Sequence, residues 1–113
     1  MKTIKQAEIW LTDLNPTKGS EQAGVRPVVV ISGNLMNQHL NVIIACPLTS
    51  KIKNYKGNVV LQPNHENKLT VPSEILTFHV RSMAKNSLIK KVGVISNEEL
   101  EQIKECLNDI LKY

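Results

Sequence analysis

Alternating and continuous apolar segments predict short β-strands in the first half of the chain. Residues Ala7–Asn15 alternate between apolar and polar side chains, and the turn signal Asn15-Pro16 marks the end of this strand. The runs Val28–Ser32 and Asn41–Leu48 are apolar almost throughout, which is typical of strands covered on both faces. Between the first two strands lies a polar, glycine-bearing loop of about ten residues, which is longer than a hairpin requires.

The second half of the chain continues with strand-length segments. Gly57–Pro63 and Glu74–Met83 predict two strands separated by a polar loop, and Ile89–Ser96 has the length of another short strand. Within Glu74–Met83 the alternation predicts that His79 and Arg81 share one face, which forms either solvent-exposed surface or the wall of a groove. The opposite face carries Leu76, Phe78 and Val80.

Apolar residues recur at helical spacing in the C-terminal segment. They are Leu100, Ile103, Cys106, Leu107, Ile110 and Leu111. Ser96 followed by Glu99 is a capping-box signature, since each side chain can bond a free backbone N–H of the other residue. These elements predict one domain, residues 1–113, which is mainly β with an appended helix: a small closed β-barrel with a C-terminal amphipathic helix packed on it.

The amino-acid composition is compatible with several classes of binding partner and excludes few of them. With 14 Lys and Arg against 10 Asp and Glu, the formal net charge is +4, an excess that permits a polyanionic partner without requiring one. Because the chain has only one Trp, two Tyr and one Phe, a stacking platform of the RNA-recognition-motif kind is not expected. No apolar leader or run of membrane length is present, so we expect a soluble cytoplasmic protein.

Cysteine and histidine positions argue against a metal site. Cys46 and Cys106 lie in apolar stretches without CxxC spacing, which predicts buried free thiols in a reducing compartment. The three histidines and two cysteines show no metal-ligand spacing, so we expect no metal and no other cofactor.

The segment EQAGVRPVVVIS places an arginine directly before a buried strand. Pro27 biases Arg26 toward extended backbone and is tolerated as the first residue of a strand, so we expect Arg26 at the rim of the barrel. A guanidinium held there is suited to bind an anion through its planar set of donors. The alternative is structural, because Arg26 could pair with Glu21 or Asp13 and only fix the loop.

A second polar group follows the next apolar strand. If the two apolar runs pair antiparallel, the end of one lies beside the start of the other, and Thr49 becomes a neighbour of Arg26. A hydroxyl beside a fixed guanidinium is a plausible phosphate or oxyanion site, although a Thr-Ser turn after a strand is common. Nearby loops contribute further side chains that could contact phosphate or an acidic partner. The alternative is that these side chains are simply solvated. They are Lys18, Ser50, Lys51, Lys53 and Lys56.

Four segments together resemble the MazF/PemK family of toxins from toxin–antitoxin pairs. They are IWLTDLNPTKGSEQAGVRPVVVIS, ACPLTS, VRSMAK and IKKVGVISNEELEQI, and they span nearly the whole chain. The resemblance implies an SH3-like β-barrel of the CcdB/PemK type, a homodimer, and a metal-independent endoribonuclease that cuts single-stranded RNA at short sequences. It also implies a cognate antitoxin whose acidic, flexible tail orders in the RNA groove.

The resemblance also implies roles for individual residues. Arg26 stabilises the phosphorane and could deliver a proton, Thr49 is its hydroxyl partner, and Glu21 acts as a base or orients the arginine. Some relatives use an aspartate shortly after the second arginine, whereas here no acidic residue follows Arg81 before Glu98. Arg81 is therefore expected to hold phosphate.

Two further expectations concern the substrate and the activity. His79 stands where many relatives carry a polar amide, so it could read a base or assist proton transfer. Because a gyrase-directed relative shares the fold, a non-catalytic toxin or an RNA- or protein-binding module on the same barrel stays the alternative to the nuclease.

Overall fold

The computed structural model describes residues 3–13, 24–55 and 58–113. Its helices are α1 (Asn34–His39) and α2 (Asn97–Lys112), with 3₁₀ turns at Thr77–His79 and Lys85–Ser87. Its strands are β1 (Glu8–Asp13), β2 (Val25–Val30), β3 (Val42–Thr49), β4 (Val59–Leu61), β5 (Ser73–Ile75), β6 (Arg81–Ala84) and β7 (Leu88–Val94).

The strands form one antiparallel sheet with the order β4-β5-β3-β2-β1-β7, and β6 pairs with β3 beside β5. The sheet forms a half-barrel with the C-terminal helix packed against it, which confirms the predicted mainly β class with an appended helix. The described strands β4 and β7 lie at opposite ends of the strand order and do not pair, so the barrel is open rather than closed as predicted. The strand predicted for Gly57–Pro63 is shorter, because pairing with β5 covers only Val59–Leu61. The strand predicted for Ile89–Ser96 is present as β7, one residue earlier at its start.

Both faces of the central sheet are buried, as the continuous apolar runs predict. Val29 packs with Ile9 and Ile103 in a cluster between the sheet and α2, whereas its neighbours Val28 and Val30 belong to a second cluster on the opposite face. All three valines have 0% exposure. This division follows from the two-residue period of a strand, which sends successive side chains to opposite faces.

Strand β2 begins earlier than its apolar run. It starts at Val25, so Arg26 and Pro27 lie within the strand, and Arg26 is opposite Thr12 of β1. The prediction that the strand starts at Pro27 is therefore wrong. Pairing with β1 extends β2 on one side through residues whose side chains are only partly buried, and apolar periodicity does not detect such an extension.

Pro27 is accommodated because its nitrogen faces β3 at the end of the β2–β3 hydrogen-bond ladder. The oxygen of Val30 accepts from the N–H of Ala7 before β1, whereas the N–H of Ile31 donates to the oxygen of Ile44 in β3. Backbone groups alternate sides along a strand, so Pro27 faces β3 like Ile31. Pairing between β2 and β3 runs from Val28 to Val30, so the missing N–H of Pro27 falls at the end of this ladder, where proline is tolerated.

The strand predicted over Glu74–Met83 is broken, and Pro47 of β3 explains the break. Strand β6 pairs with the first half of β3 and β5 pairs with its last two residues, which leaves Pro47 between them. Proline offers no N–H to a continuous partner strand, and its oxygen accepts a single bond from the N–H of Leu76. The chain then leaves the sheet as the 3₁₀ turn Thr77–His79.

This break changes which side chains of the segment are exposed. Phe78 and Val80 are 46% and 39% exposed, whereas Thr77, predicted on the polar face, is completely buried. His79 lies at the end of the 3₁₀ turn rather than on a strand. His79 and Arg81 are both exposed, as predicted, and Arg81 lies on a strand, β6.

The helices are partly as expected. Helix α1, which ends at His39, is not predicted by the sequence pattern. Helix α2 begins with the predicted capping box, in which Ser96 and Glu99 exchange side chain–backbone hydrogen bonds. Leu111 lies on its exposed C-terminal end, so the apolar stripe is buried only in its first turns. Within the described ranges, no helix combines the length and apolarity needed to cross a lipid bilayer.

Candidate active site

A cavity of about 270 Å³ opens where β2 begins and β3 ends. Four residues predicted for the site line it: Arg26, Thr49, Ser50 and Lys51. The remaining lining residues are Pro27, Leu48, Leu69, Thr70, Val71 and Ser73. Two cationic side chains and several hydroxyl groups therefore share one concave surface, a combination that favours an anionic ligand.

The register of β2 and β3 brings Arg26 to Thr49. Val29 is opposite Cys46 and Val28 is opposite Pro47. Continuing this register two residues beyond the Val28–Pro47 pair places Arg26 opposite Thr49. The antiparallel pairing assumed from the sequence is thus present. Both side chains are partly exposed, so a ligand in the cavity can reach them.

The polar groups of Arg26 and Thr49 retain unused bonding capacity. Within residues 3–13, 24–55 and 58–113 the two ion pairs are Lys91–Glu8 and Lys104–Glu101, so Asp13 does not neutralise Arg26. The Thr49 hydroxyl oxygen accepts a 3.1 Å bond from the N–H of Lys51. Because that bond uses a lone pair, the Thr49 hydrogen remains free to donate to a ligand oxygen.

Other predicted site residues lie apart from this cavity. Arg81 is opposite Ala45 on β3, four residues from Thr49, or about 13 Å along the strand. His79 and Lys53 are exposed, and neither lines the cavity. The remaining predicted contacts fall outside the described residues: Lys18, Glu21 and Lys56. The pairing of Arg26 with Glu21 therefore stays a prediction.

The far wall of the cavity comes from a loop that sequence reasoning treated only as polar. Leu69, Thr70 and Val71 precede β5, and β5 pairs with β3 at Thr49. This pairing brings the loop back beside the end of β3. No local motif marks these residues, because their place at the site depends on the long-range pairing of a three-residue strand.

Glu74, the residue opposite Thr49, is a further residue at the site that the sequence pattern does not reveal. It is fully buried, and its carboxylate accepts bonds from the backbone N–H groups of Lys53, Asn54 and Tyr55 at 2.8–3.2 Å. The side-chain amide of Asn58 donates a fourth bond. Glu74 thus fixes the loop that follows β3. No pattern in the sequence indicates that this glutamate is buried, because its hydrogen-bond donors come from a separate loop.

Hydrogen bonding lowers the pKa of Glu74. Burial alone raises this pKa, but the bonds from Lys53, Asn58, Tyr55 and Asn54 stabilise the charged form and outweigh burial. A lowered pKa contributes stability that is present above the ordinary glutamate pKa and is lost as pH falls through the folded-state value.

We predict that Glu74→Gln lowers the free energy of unfolding by about 3 kcal/mol at neutral pH, because a neutral amide cannot accept all four bonds. The difference from wild type should shrink below about pH 4 as the native carboxylate becomes protonated. Urea unfolding across this pH range measures it. Glu101→Gln is the control, since the exposed Glu101 should contribute less than about 0.5 kcal/mol at neutral pH. A wild-type advantage that does not decline in acid would contradict this account.

A second cavity, of about 350 Å³, lies against α2 and has the opposite charge. It is lined by Glu105 and Asp109 but by no Lys or Arg, so it does not favour a phosphate ligand. Cys106 borders it, and Cys46 is buried in the core; both thiols are free, as predicted. Burial raises the pKa of Cys46 to about 12. In the part of the chain that the structure describes, no group of three His, Cys, Asp or Glu residues could hold a metal.

Comparison with known families identifies the kind of protein to which this site belongs. Residues 5–111 match the family described as PemK-like, MazF-like toxin of type II toxin–antitoxin system. The chain belongs to this family. The match spans all of the strands and nearly all of α2, so the Arg26–Thr49 cavity lies within the family domain.

Individual relatives agree with this membership. The chain is 29% identical over 107 residues to the endoribonuclease MazF of Staphylococcus saprophyticus, covering 93% of this chain and 88% of the relative. It is similar in structure to MazF from Deinococcus radiodurans, with a TM-score of 0.82 and 27% identity over 100% of both chains. A structure of the Deinococcus MazE–MazF complex matches with a TM-score of 0.74 and 25% identity, again over 100% of both chains.

Proposed function

We propose that this toxin is an endoribonuclease that cleaves single-stranded RNA at short sequences without a metal ion. Cleavage by this route uses the 2′-OH as internal nucleophile and leaves a 2′,3′-cyclic phosphate and a 5′-OH. Family membership supports the activity, and the cavity that holds Arg26 beside Thr49 is the observation that supports its location. The resulting damage to mRNA would stop translation and growth.

The cavity residues fit the demands of the phosphorane. In this proposal Arg26 donates two parallel bonds to the non-bridging oxygens, and the Thr49 hydroxyl adds a third donor. Lys51 at the same rim contributes positive charge where negative charge develops. The backbone positions of both residues are fixed before substrate arrives, since Arg26 lies in β2 and Thr49 in β3.

The proton transfers rest on residues with weaker support. Glu21, predicted to take the 2′-OH proton or to orient Arg26, lies outside the described residues. A guanidinium is a poor acid near neutral pH, so stabilisation of charge is the main role of Arg26. Arg81 and Lys53, which do not line the cavity, would contact phosphates further along the RNA.

We further propose two protein partners. A cognate antitoxin with an acidic tail would occupy the same basic groove, and the MazE–MazF complex of the Deinococcus relative supports such a partner. A second copy of the chain would form a homodimer, which apolar surface at Leu35, Leu40 and Val42 supports. Both assemblies would operate in the cytoplasm, where mRNA is translated.

Incubation of the purified protein with long single-stranded RNA in EDTA tests the proposed activity. Discrete fragments that end in cyclic phosphate are the expected result. A salt-sensitive gel shift without fragments would instead favour a binding protein on the same barrel. Fragments that form only when a divalent metal is restored would contradict the metal-independent mechanism.

A further inference from the structure

Two of the four aromatic residues of the chain, with one histidine, form an exposed cluster. The Tyr55 and Phe78 rings meet edge to face with centroids 5.0 Å apart, and the His79 ring lies 4.6 Å from Phe78. Tyr55 is 47% exposed and Phe78 is 46% exposed. This cluster, Tyr55–Phe78–His79, therefore leaves ring surface open to solvent, although the small total number of aromatics predicted no stacking platform.

The cluster is connected to the candidate active site through Glu74. Glu74 is opposite Thr49 in the β3–β5 ladder, where paired Cα atoms are separated by about 5 Å. Its carboxylate accepts the backbone N–H of Tyr55 at 2.9 Å, so it holds the base of the cluster. The buried hydroxyl of Thr77 donates to Asn58 at 2.6 Å, and Asn58 donates to Glu74 at 3.1 Å, which fixes the turn that carries Phe78.

We propose that the Tyr55–Phe78–His79 cluster stacks a base of the RNA next to the scissile phosphate and thereby helps to select the cleavage sequence. This inference rests on the proposed ribonuclease function and adds a site for substrate selection to it. Aromatic faces stack bases well, and the adjoining histidine offers ring nitrogens that can bond a base edge. Glu74 is the positioning residue of this site.

Two features favour a nucleobase over an apolar protein segment. The cluster is joined through Glu74 to Thr49 of a cavity that also holds two cationic side chains, so an RNA strand with its phosphate in the cavity could extend toward the rings. The rings also belong to a framework anchored by hydrogen bonds to a buried carboxylate, so stacking on them costs little ordering.

Phe78→Ala tests the site in a cleavage assay on a short RNA that contains one mapped cleavage site. We expect KM to rise about five- to hundredfold with a smaller change in kcat, since base–aromatic stacking contributes to binding. Sequencing of fragments from a long RNA should show relaxed preference at one position beside the cut. Phe78→Tyr should restore much of both properties because it keeps the ring. Tyr113→Ala is the matched control, an exposed aromatic outside the cluster.

The possible outcomes separate this inference from the proposed function. Unchanged KM and an unchanged cleavage sequence in Phe78→Ala would overturn the stacking site while leaving the nuclease intact. Weaker antitoxin binding with unchanged RNA cleavage would also overturn it and assign the rings to a protein contact. Glu74→Gln should raise KM in the same direction at neutral pH, and circular dichroism would confirm that each variant is folded. Absence of RNA cleavage by the wild type would instead refute the proposed function itself.

Discussion

Arg26→Ala should lower RNA cleavage at least about 1,000-fold while leaving the protein folded. The physical reason is that Arg26 is the cation beside the Thr49 hydroxyl, and no acidic partner among the described residues neutralises it. Arg26→Lys should recover little activity, because an ammonium cannot present two parallel donors to one phosphate. Single-turnover cleavage of a defined RNA gives the rates, and induced expression of the variant should no longer arrest growth.

Two comparisons make this result specific to the site. Lys104→Ala removes the same charge from the exposed surface of α2, where the lysine pairs with Glu101, and should cleave at the wild-type rate. Thr49→Val should cost less than Arg26→Ala, and the double variant should lose less than the product of the two losses because both residues act on one phosphate. Wild-type cleavage by Arg26→Ala would place the chemistry elsewhere on the barrel.

The central part of the site was predictable because it follows from strand pairing. Two continuous apolar runs indicate neighbouring buried strands, and antiparallel pairing alone brings Arg26 to Thr49. The capping box of α2 was predictable for a similar reason, since Ser96 and Glu99 act within one turn. In both cases the decisive contact depends on residue identity together with a regular spacing.

The rest of the site depends on an interruption that periodicity does not reveal. Alternation in Glu74–Met83 predicts one strand, yet Pro47 on the facing strand prevents continuous pairing. The chain therefore leaves the sheet at Thr77, and Phe78 becomes exposed beside Tyr55. The cause of the break, Pro47, lies in a different strand about thirty residues earlier in the chain. Its effect can be recognised only once the strand register is known.

Glu74 shows a second limit of sequence reasoning. A single glutamate at the start of an apolar segment is ordinarily placed at the surface, because burial of a charge is costly. Here the loop after β3 turns back so that three successive N–H groups point at one carboxylate. This arrangement of three N–H groups can be recognised only in three dimensions. Once it is known, elementary electrostatics explains why the hydrogen bonds offset the cost of burying the charge.

Gly93→Ala should destabilise the fold strongly, with a loss of about 3 kcal/mol or more. A Cβ at this position would overlap the oxygen of Glu66 and lie 2.5 Å from the oxygen of Asn67, both of them backbone atoms. Neither atom can move easily, because the N–H of Val94 bonds the Glu66 oxygen and the Asn67 side chain is completely buried. The added carbon must therefore displace either β7 or the turn at residues 64–67.

The turn has little freedom to adjust, which is why we expect strain rather than relaxation. The Asn67 amide oxygen accepts from the N–H groups of Asn64 and Leu69, and its nitrogen donates to the oxygen of Gln62. Displacement of the turn would break these bonds, and it would also shift Leu69, which lines the candidate active site. Loss of stability and loss of cleavage should therefore occur together in this variant.

Thermal unfolding provides the measurement, with an expected decrease in Tm of about 10 °C or more for a domain of this size. Gly33→Ser is the matched control, because a Cβ at Gly33 meets no atom within 4 Å and serine is a favourable residue at the N-cap of α1. It should leave Tm unchanged or slightly raised. If Gly93→Ala also unfolds at the wild-type temperature, the turn at residues 64–67 can move away from the added Cβ without loss of free energy of unfolding. The close packing of β7 against this turn would then not be required for the stability of the fold.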